Sequence, residues 1–150
     1  MTLIEQLKRD EGCRRVAGGL QDYRDSKGLW TRGYGHLIVP QPLGTYVPKV
    51  ISEREAHELL VDDLAKHRDE LFIAVPWITS HDDVIVEAVI NMTFNLGITR
   101  LLGFKGFFAA LRARDYPMAA IEALDSKWHR EDVGPRAVRL AKQLVTKVRQ

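Results

Sequence analysis

The stretch from Asp82 to Leu96 constrains the fold more than any other, because it reads as a helix that is apolar on nearly every face. Val84, Ile85, Val86, Val89, Ile90, Met92 and Phe94 leave no wide polar side to meet water. Such a helix belongs inside a bundle, so several others must enclose it. Glu87, Asn91 and Asn95 interrupt the run, and it is too short to cross a bilayer. The chain supplies the enclosing helices on its C-terminal side, over Phe104–Arg114, Pro117–Asp125 and Pro135–Arg149, the last with proline at its first position. On the N-terminal side, Ser52 and Glu55 form a capping box that opens a helix to about Ala74, before Pro76. That helix is long enough to bridge two lobes.

The first third follows different rules. Thr2 and Glu5 have capping-box spacing, and Leu3, Ile4 and Leu7 form one apolar stripe, so a short amphipathic helix is expected to end at Gly12. Glu11 falls in its last turn, on the side of Leu3 and Leu7 rather than straight out to water. From Gly18 to about Val39, glycines punctuate short runs holding Tyr23, Leu29, Trp30, Thr31 and Tyr34. Asp25-Ser26-Lys27-Gly28 has the residues of a type I turn. A small β-hairpin or three-stranded sheet is expected there. Pro40 to Val50 carries three prolines and one glycine, which predicts an irregular connection. The expected fold is α+β and mostly α, one domain over residues 1–150. Its lobes cover about 12–51 and 75–150, with helix 1–11 packed on the helical lobe and helix 52–74 joining the two.

Composition narrows the function little. A net charge of +2 helps approach to an anionic polymer, but many enzymes on neutral substrates share it. No basic stripe or helix-turn-helix pattern points to nucleic acid. Cys13 is the sole cysteine, which rules out an intrachain disulfide. No His/Asp/Glu spacing suggests a metal site, so none is expected. MTLIEQLKRDEG mixes acids and bases and resembles neither a signal peptide nor an anchor.

Glu11 stands out among the carboxylates. Carboxyl groups at the negative end of a helix dipole, partly buried, keep a proton more readily and suit proton donation. A solvated Glu before a helix-ending Gly is the bland alternative. Asp25 has an ordinary role opening a turn, Thr31 is a typical strand residue, and His36 is more often a satisfied histidine than a catalytic one.

The order of these residues is more informative. Glu11-Gly12 followed by the run Tyr23 to Leu37 resembles the phage-type lysozyme family, whose signature is E-G and then Y-x-D-x-x-G-x-x-T-x-G-x-G-H. Every fixed position of the second block is present. The likeness extends to Ser52–Asp63, to Asn91–Gly97, to Gly103-Phe104 and to Trp128 with Pro135-Arg136-Ala137. The resemblance implies hydrolysis of the β-1,4 bond between N-acetylmuramic acid and N-acetylglucosamine in peptidoglycan, in a cleft between lobes. It implies Glu11 as general acid, with Asp25 and Thr31 holding the attacking water and no cofactor. It further implies a structural His36–Asp63 salt bridge, an Arg136 that approaches Glu11, and Trp128 as a packing residue. The expected setting is a monomer acting on the wall without membrane insertion, kept in the host cytoplasm until a holin releases it, or carried in a virion. Two rival activities fit the same pattern less well: a lytic transglycosylase and a catalytically inactive wall-binding phage protein.

Two departures stand against the family pattern. Thirteen residues separate Glu11 from Asp25. That is a surplus of about five, placed within Val16–Asp22, where a loop bulging near Gly18-Gly19 would be penalised only weakly. On that expectation, excising Gly18–Asp22 leaves a folded, active enzyme. If the segment instead shapes the site, excision abolishes lysis without unfolding. The second departure is Arg32, where the family has a small apolar residue.

Overall fold

A computed structural model describes residues 1–132 and 134–150, with side chains 131 and 132 outside the description. The backbone begins with helix α1 (Leu3–Glu11), then six short strands: β1 (Arg15–Val16), β2 (Gly19–Gln21), β3 (Tyr23–Arg24), β4 (Trp30–Arg32), β5 (His36–Leu37) and β6 (Val50–Ile51). Helices follow as α2 (Glu53–Ala74), α3 (Asp83–Leu96), α4 (Ile98–Leu102), α5 (Lys105–Arg112), α6 (Tyr116–Leu124) and α7 (Gly134–Thr146). A 3₁₀ turn at Pro76–Ser80 and a π turn at Trp128–Asp132 complete the description. This is the lysozyme-like α+β arrangement expected from the sequence.

The chain divides into two compact units, Ile4–Ala65 and Met1–Leu3 with Lys66–Gln150. The division falls inside α2. Residues 4–11 group with the strands in the first of these units.

In the first unit the α1 end is closed by the Gly12 N–H on the Lys8 carbonyl at 3.1 Å. The strands form two antiparallel sheets of three, ordered β1-β2-β6 and β3-β4-β5, rather than one. Arg15 pairs with Leu20 and Leu20 with Ile51, while Tyr23 pairs with Thr31 and Thr31 with Leu37. Leu7, Leu20, Tyr34, Ala56 and Leu60 are buried and form this unit's core. The surplus segment therefore does not bulge out. It supplies β2, the middle strand of the first sheet, and its Leu20 is 1% exposed. Loop-closure reasoning failed because it counts only chain entropy, not what the residues bury. The capping box of α2 forms as expected. The Ser52 N–H and hydroxyl donate to Glu55 Oε2 at 2.7 and 2.8 Å, and the Glu55 N–H donates to Ser52 Oγ at 3.1 Å.

In the second unit α3 is buried along most of its length, from Ile85 to Phe94. Its polar residues are satisfied internally. Thr93 Oγ1 donates to the Val89 carbonyl at 2.8 Å, and Asn91 Oδ1 accepts from Arg136 Nε at 2.8 Å. Phe107, Leu111, Ala119, Ala123, Ala137, Leu140 and Leu144 bring α5, α6 and α7 into the same core. Trp128 is fully buried, with its Nε1–H donated to Asn95 Oδ1 at 2.7 Å and its ring edge-on to Phe104. Helix α4 and the two short turns escaped the sequence reading, since segments of five residues give periodicity little to act on.

Candidate active site

Glu11 is the last residue of α1 and is half-buried. Its carboxyl lies against Gly35, where an added Cβ would come within 2.7 Å of Glu11 Oε2. Gly35 also has φ +81°, a backbone conformation that favours glycine there. The Gly35 N–H donates to the Tyr23 phenol, whose pKa is pushed up to about 12 by burial first and then by the charge of Glu11. Cys13 and Asp25 add smaller contributions in the same direction. One phenol thus feels both carboxylates singled out by the sequence.

Asp25 owes its place to the turn it opens. The Gly28 N–H closes that turn on the Asp25 carbonyl at 2.9 Å, and Asp25 Oδ1 accepts from the N–H groups of Lys27 and Leu29, each at 2.9 Å. Among the described residues Asp25 Oδ2 accepts no hydrogen bond. Thr31 is buried on β4, opposite Tyr23 in the ladder. Its hydroxyl donates to the Leu29 carbonyl at 3.0 Å, so its oxygen can only accept from a further partner.

His36 Nδ1 lies 2.8 Å from Asp63 Oδ2, joining β5 to α2. Arg136 stands on α7 in the helical unit, buried, bonded to Asn91 as described above. Among the described residues no group of His, Cys, Asp and Glu is placed to hold a metal ion.

Sequence reasoning missed the device that ties α1 to the strands. Glu53, at the start of α2, accepts from Lys8 Nζ at 3.0 Å, from Arg15 Nη1 at 3.0 Å and from the Tyr34 hydroxyl at 2.5 Å. It therefore clasps α1 one turn before Glu11, and the hairpin one residue before Gly35. Only the exposed capping turn of α2 was visible in the sequence, where acidic residues are common. The Tyr34 bond first, with Lys8 and Arg15 adding to it against burial, holds the Glu53 carboxyl at about 2, well below its ordinary 4.5. A depressed carboxyl contributes stability that is full above the unfolded pKa and lost as pH falls toward the folded one. Glu53→Gln is thus expected to lower stability by roughly 1 kcal/mol at pH 7, the scale of a solvent-screened pair. The melting temperatures of variant and wild type should converge as pH falls from 4.5 toward 2. A gap that stays constant over that range would show that the charge of Glu53 contributes nothing.

The model of the phage lysozyme family matches residues 8–146. The chain belongs to the phage lysozyme family. It is 30% identical over 173 aligned positions to the pre-baseplate central spike protein Gp5 of Enterobacteria phage T4, covering 97% of this chain and 28% of that protein. It is 26% identical over 151 positions to a probable T4-type lysozyme 1 of Dictyostelium discoideum, covering 87% of this chain and 86% of that one. The chain thus spans under a third of the spike protein and most of the smaller relative. Family membership supports a lysozyme-type, glycosidase activity on peptidoglycan. Among the described residues no helix is long and apolar enough to cross a membrane.

Proposed function

We propose that this family member cleaves the β-1,4 bond between N-acetylmuramic acid and N-acetylglucosamine by adding water, and so lyses bacterial walls. The observation that carries the reading is the pair of acceptors on the β3–β4 hairpin. Asp25 is fixed through Oδ1 and keeps Oδ2 open, and Thr31 has committed its only hydroxyl hydrogen to Leu29. A water that donates one hydrogen to each acceptor keeps a lone pair directed elsewhere, which is what a nucleophile needs. Glu11 gives its proton to the glycosidic oxygen as the C1–O bond breaks. The water oxygen bonds to C1, and its released proton passes to Asp25, the division of labour of an inverting glycosidase. Gly35 lies against the Glu11 carboxyl, and the His36–Asp63 pair braces β5 on α2.

A lytic transglycosylase would need no water-holding pair and would leave anhydro ends. Mass spectrometry of wall digested by the protein is expected to show hydrated reducing ends on N-acetylmuramic acid. Anhydro ends would move the assignment to transglycosylation, and an undigested wall would leave only a binding role. We infer delivery to the wall through a holin lesion or within a virion, with the protein acting as a monomer.

A further inference from the structure

The hydrolytic reading rests on a very short ladder. Strands β3 and β4 exchange only two residue pairs, Tyr23 with Thr31 and Arg24 with Trp30. The Asp25–Gly28 turn closes one end. At the other end Asp22 immediately precedes Tyr23, and Arg32 immediately follows Thr31. Short hairpins of this kind hold no fixed geometry alone.

The open end is held by an unusual cluster. The Asp22 side chain is fully buried, and Arg32 grips it with both arms, Nε to Oδ1 at 2.8 Å and Nη2 to Oδ2 at 2.9 Å. Oδ2 also accepts from the Tyr46 hydroxyl at 2.7 Å and the Lys49 N–H at 3.0 Å. The Asp22 N–H in turn donates to the Lys49 carbonyl at 2.8 Å. Burial alone would push this carboxyl up, but the bonds from Arg32, Tyr46 and Lys49 prevail and hold it below the ordinary range. The Tyr46 ring sits edge-on to Trp30 at 4.8 Å, which ties the same cluster to the first residue of β4. Both departures from the family pattern meet here, since Asp22 ends the surplus segment and Arg32 is the residue that replaces a small apolar one.

We propose that Asp22 and Arg32 are a pair of positioning residues, pinning the open end of the β3–β4 hairpin so that Tyr23, Asp25 and Thr31 keep the arrangement the reaction needs. The surplus segment and Arg32 then form one device: Arg32 supplies the countercharge of the fully buried Asp22, and Asp22 fixes both arms of the partly exposed Arg32. Neither residue touches the reacting atoms. This role rests on the hydrolytic reading given above.

The test is steady-state kinetics on soluble peptidoglycan glycan chains for wild type, Asp22→Asn, Arg32→Met, the double variant and Arg32→Lys, with thermal melts alongside. Small displacements of a catalytic group cost far more in turnover than in binding. The single variants should therefore lose at least ~10-fold in kcat, with KM within about threefold of wild type. The double variant should be no worse than the worse single one, since the two act as a unit. Arg32→Lys should recover part of the loss. Should a single variant not fold, Tyr46→Phe keeps the ring on Trp30, deletes one bond to Asp22, and should lower kcat by about threefold at constant KM. Folded variants with wild-type kcat, or losses that simply add, would overturn the pair's role. A wild-type protein that cleaves nothing would overturn the hydrolytic reading, and this role with it.

Discussion

Glu11→Gln is expected to lower wall lysis by at least ~100-fold, the contribution of a positioned proton donor, while the chain stays folded. The substitution keeps the side chain's size and most of its hydrogen bonding, and removes only the transferable proton. The Glu11 carboxyl occupies the space that a side chain at position 35 would take, so an isosteric amide is the probe that leaves this packing unchanged. The same variant carries a second readout that needs no substrate. The charge of Glu11 helps hold the Tyr23 phenol at about 12, so its removal should lower that value in an ultraviolet titration. A fall in the tyrosine pKa with lysis lost would place the proton donor beside Tyr23. Retained lysis would remove Glu11 from the reaction, whatever the phenol does.

The sequence carried the parts of this molecule that depend on pattern. The buried character of α3 was written in apolar residues that recur on nearly every face, and the ends of α1 and α2 in Gly12 and the Ser52–Glu55 box. The residues proposed for the chemistry were legible as a signature, because Tyr23 to His36 keep their spacing within the hairpin. What the sequence could not carry was pairing at long range. Asp22 reads as a polar residue before a tyrosine, and nothing local says that Arg32, Tyr46 and Lys49 converge on it. Glu53 reads as one more acid in a first helical turn, although it gathers Lys8, Arg15 and Tyr34. The segment from Val16 to Asp22 was misread for the same reason. Its two glycines look like a loop, whereas Gly19 lies so close to β6 that a Cβ would meet the Ile51 carbonyl.

Removal of Gly18–Asp22 is therefore expected to unfold the first unit and abolish lysis, the reverse of what loop-closure entropy alone suggests. The excised residues include β2, so β1 and β6 lose their common partner. Leu20 leaves a hole in the core, a loss of about 2–5 kcal/mol by analogy with large-to-small replacements. Arg32 keeps its charge and loses Asp22. Stranding a fully buried ion costs about 3–5 kcal/mol, and this one, whose side chain is 23% exposed, falls toward the lower figure. Together these approach the ~5–15 kcal/mol that holds a whole domain of this size. A control separates length from content: one extra glycine between Ala17 and Gly18, both exposed, lengthens the β1–β2 turn without touching Leu20 or Asp22. That insertion should leave melting and lysis close to wild type, while the excision should show an early loss of ellipticity and no lysis. A truncated chain that melts cooperatively and still clears a wall suspension would mean that neither β2 nor the Asp22 anchor is needed to hold Asp25 and Thr31.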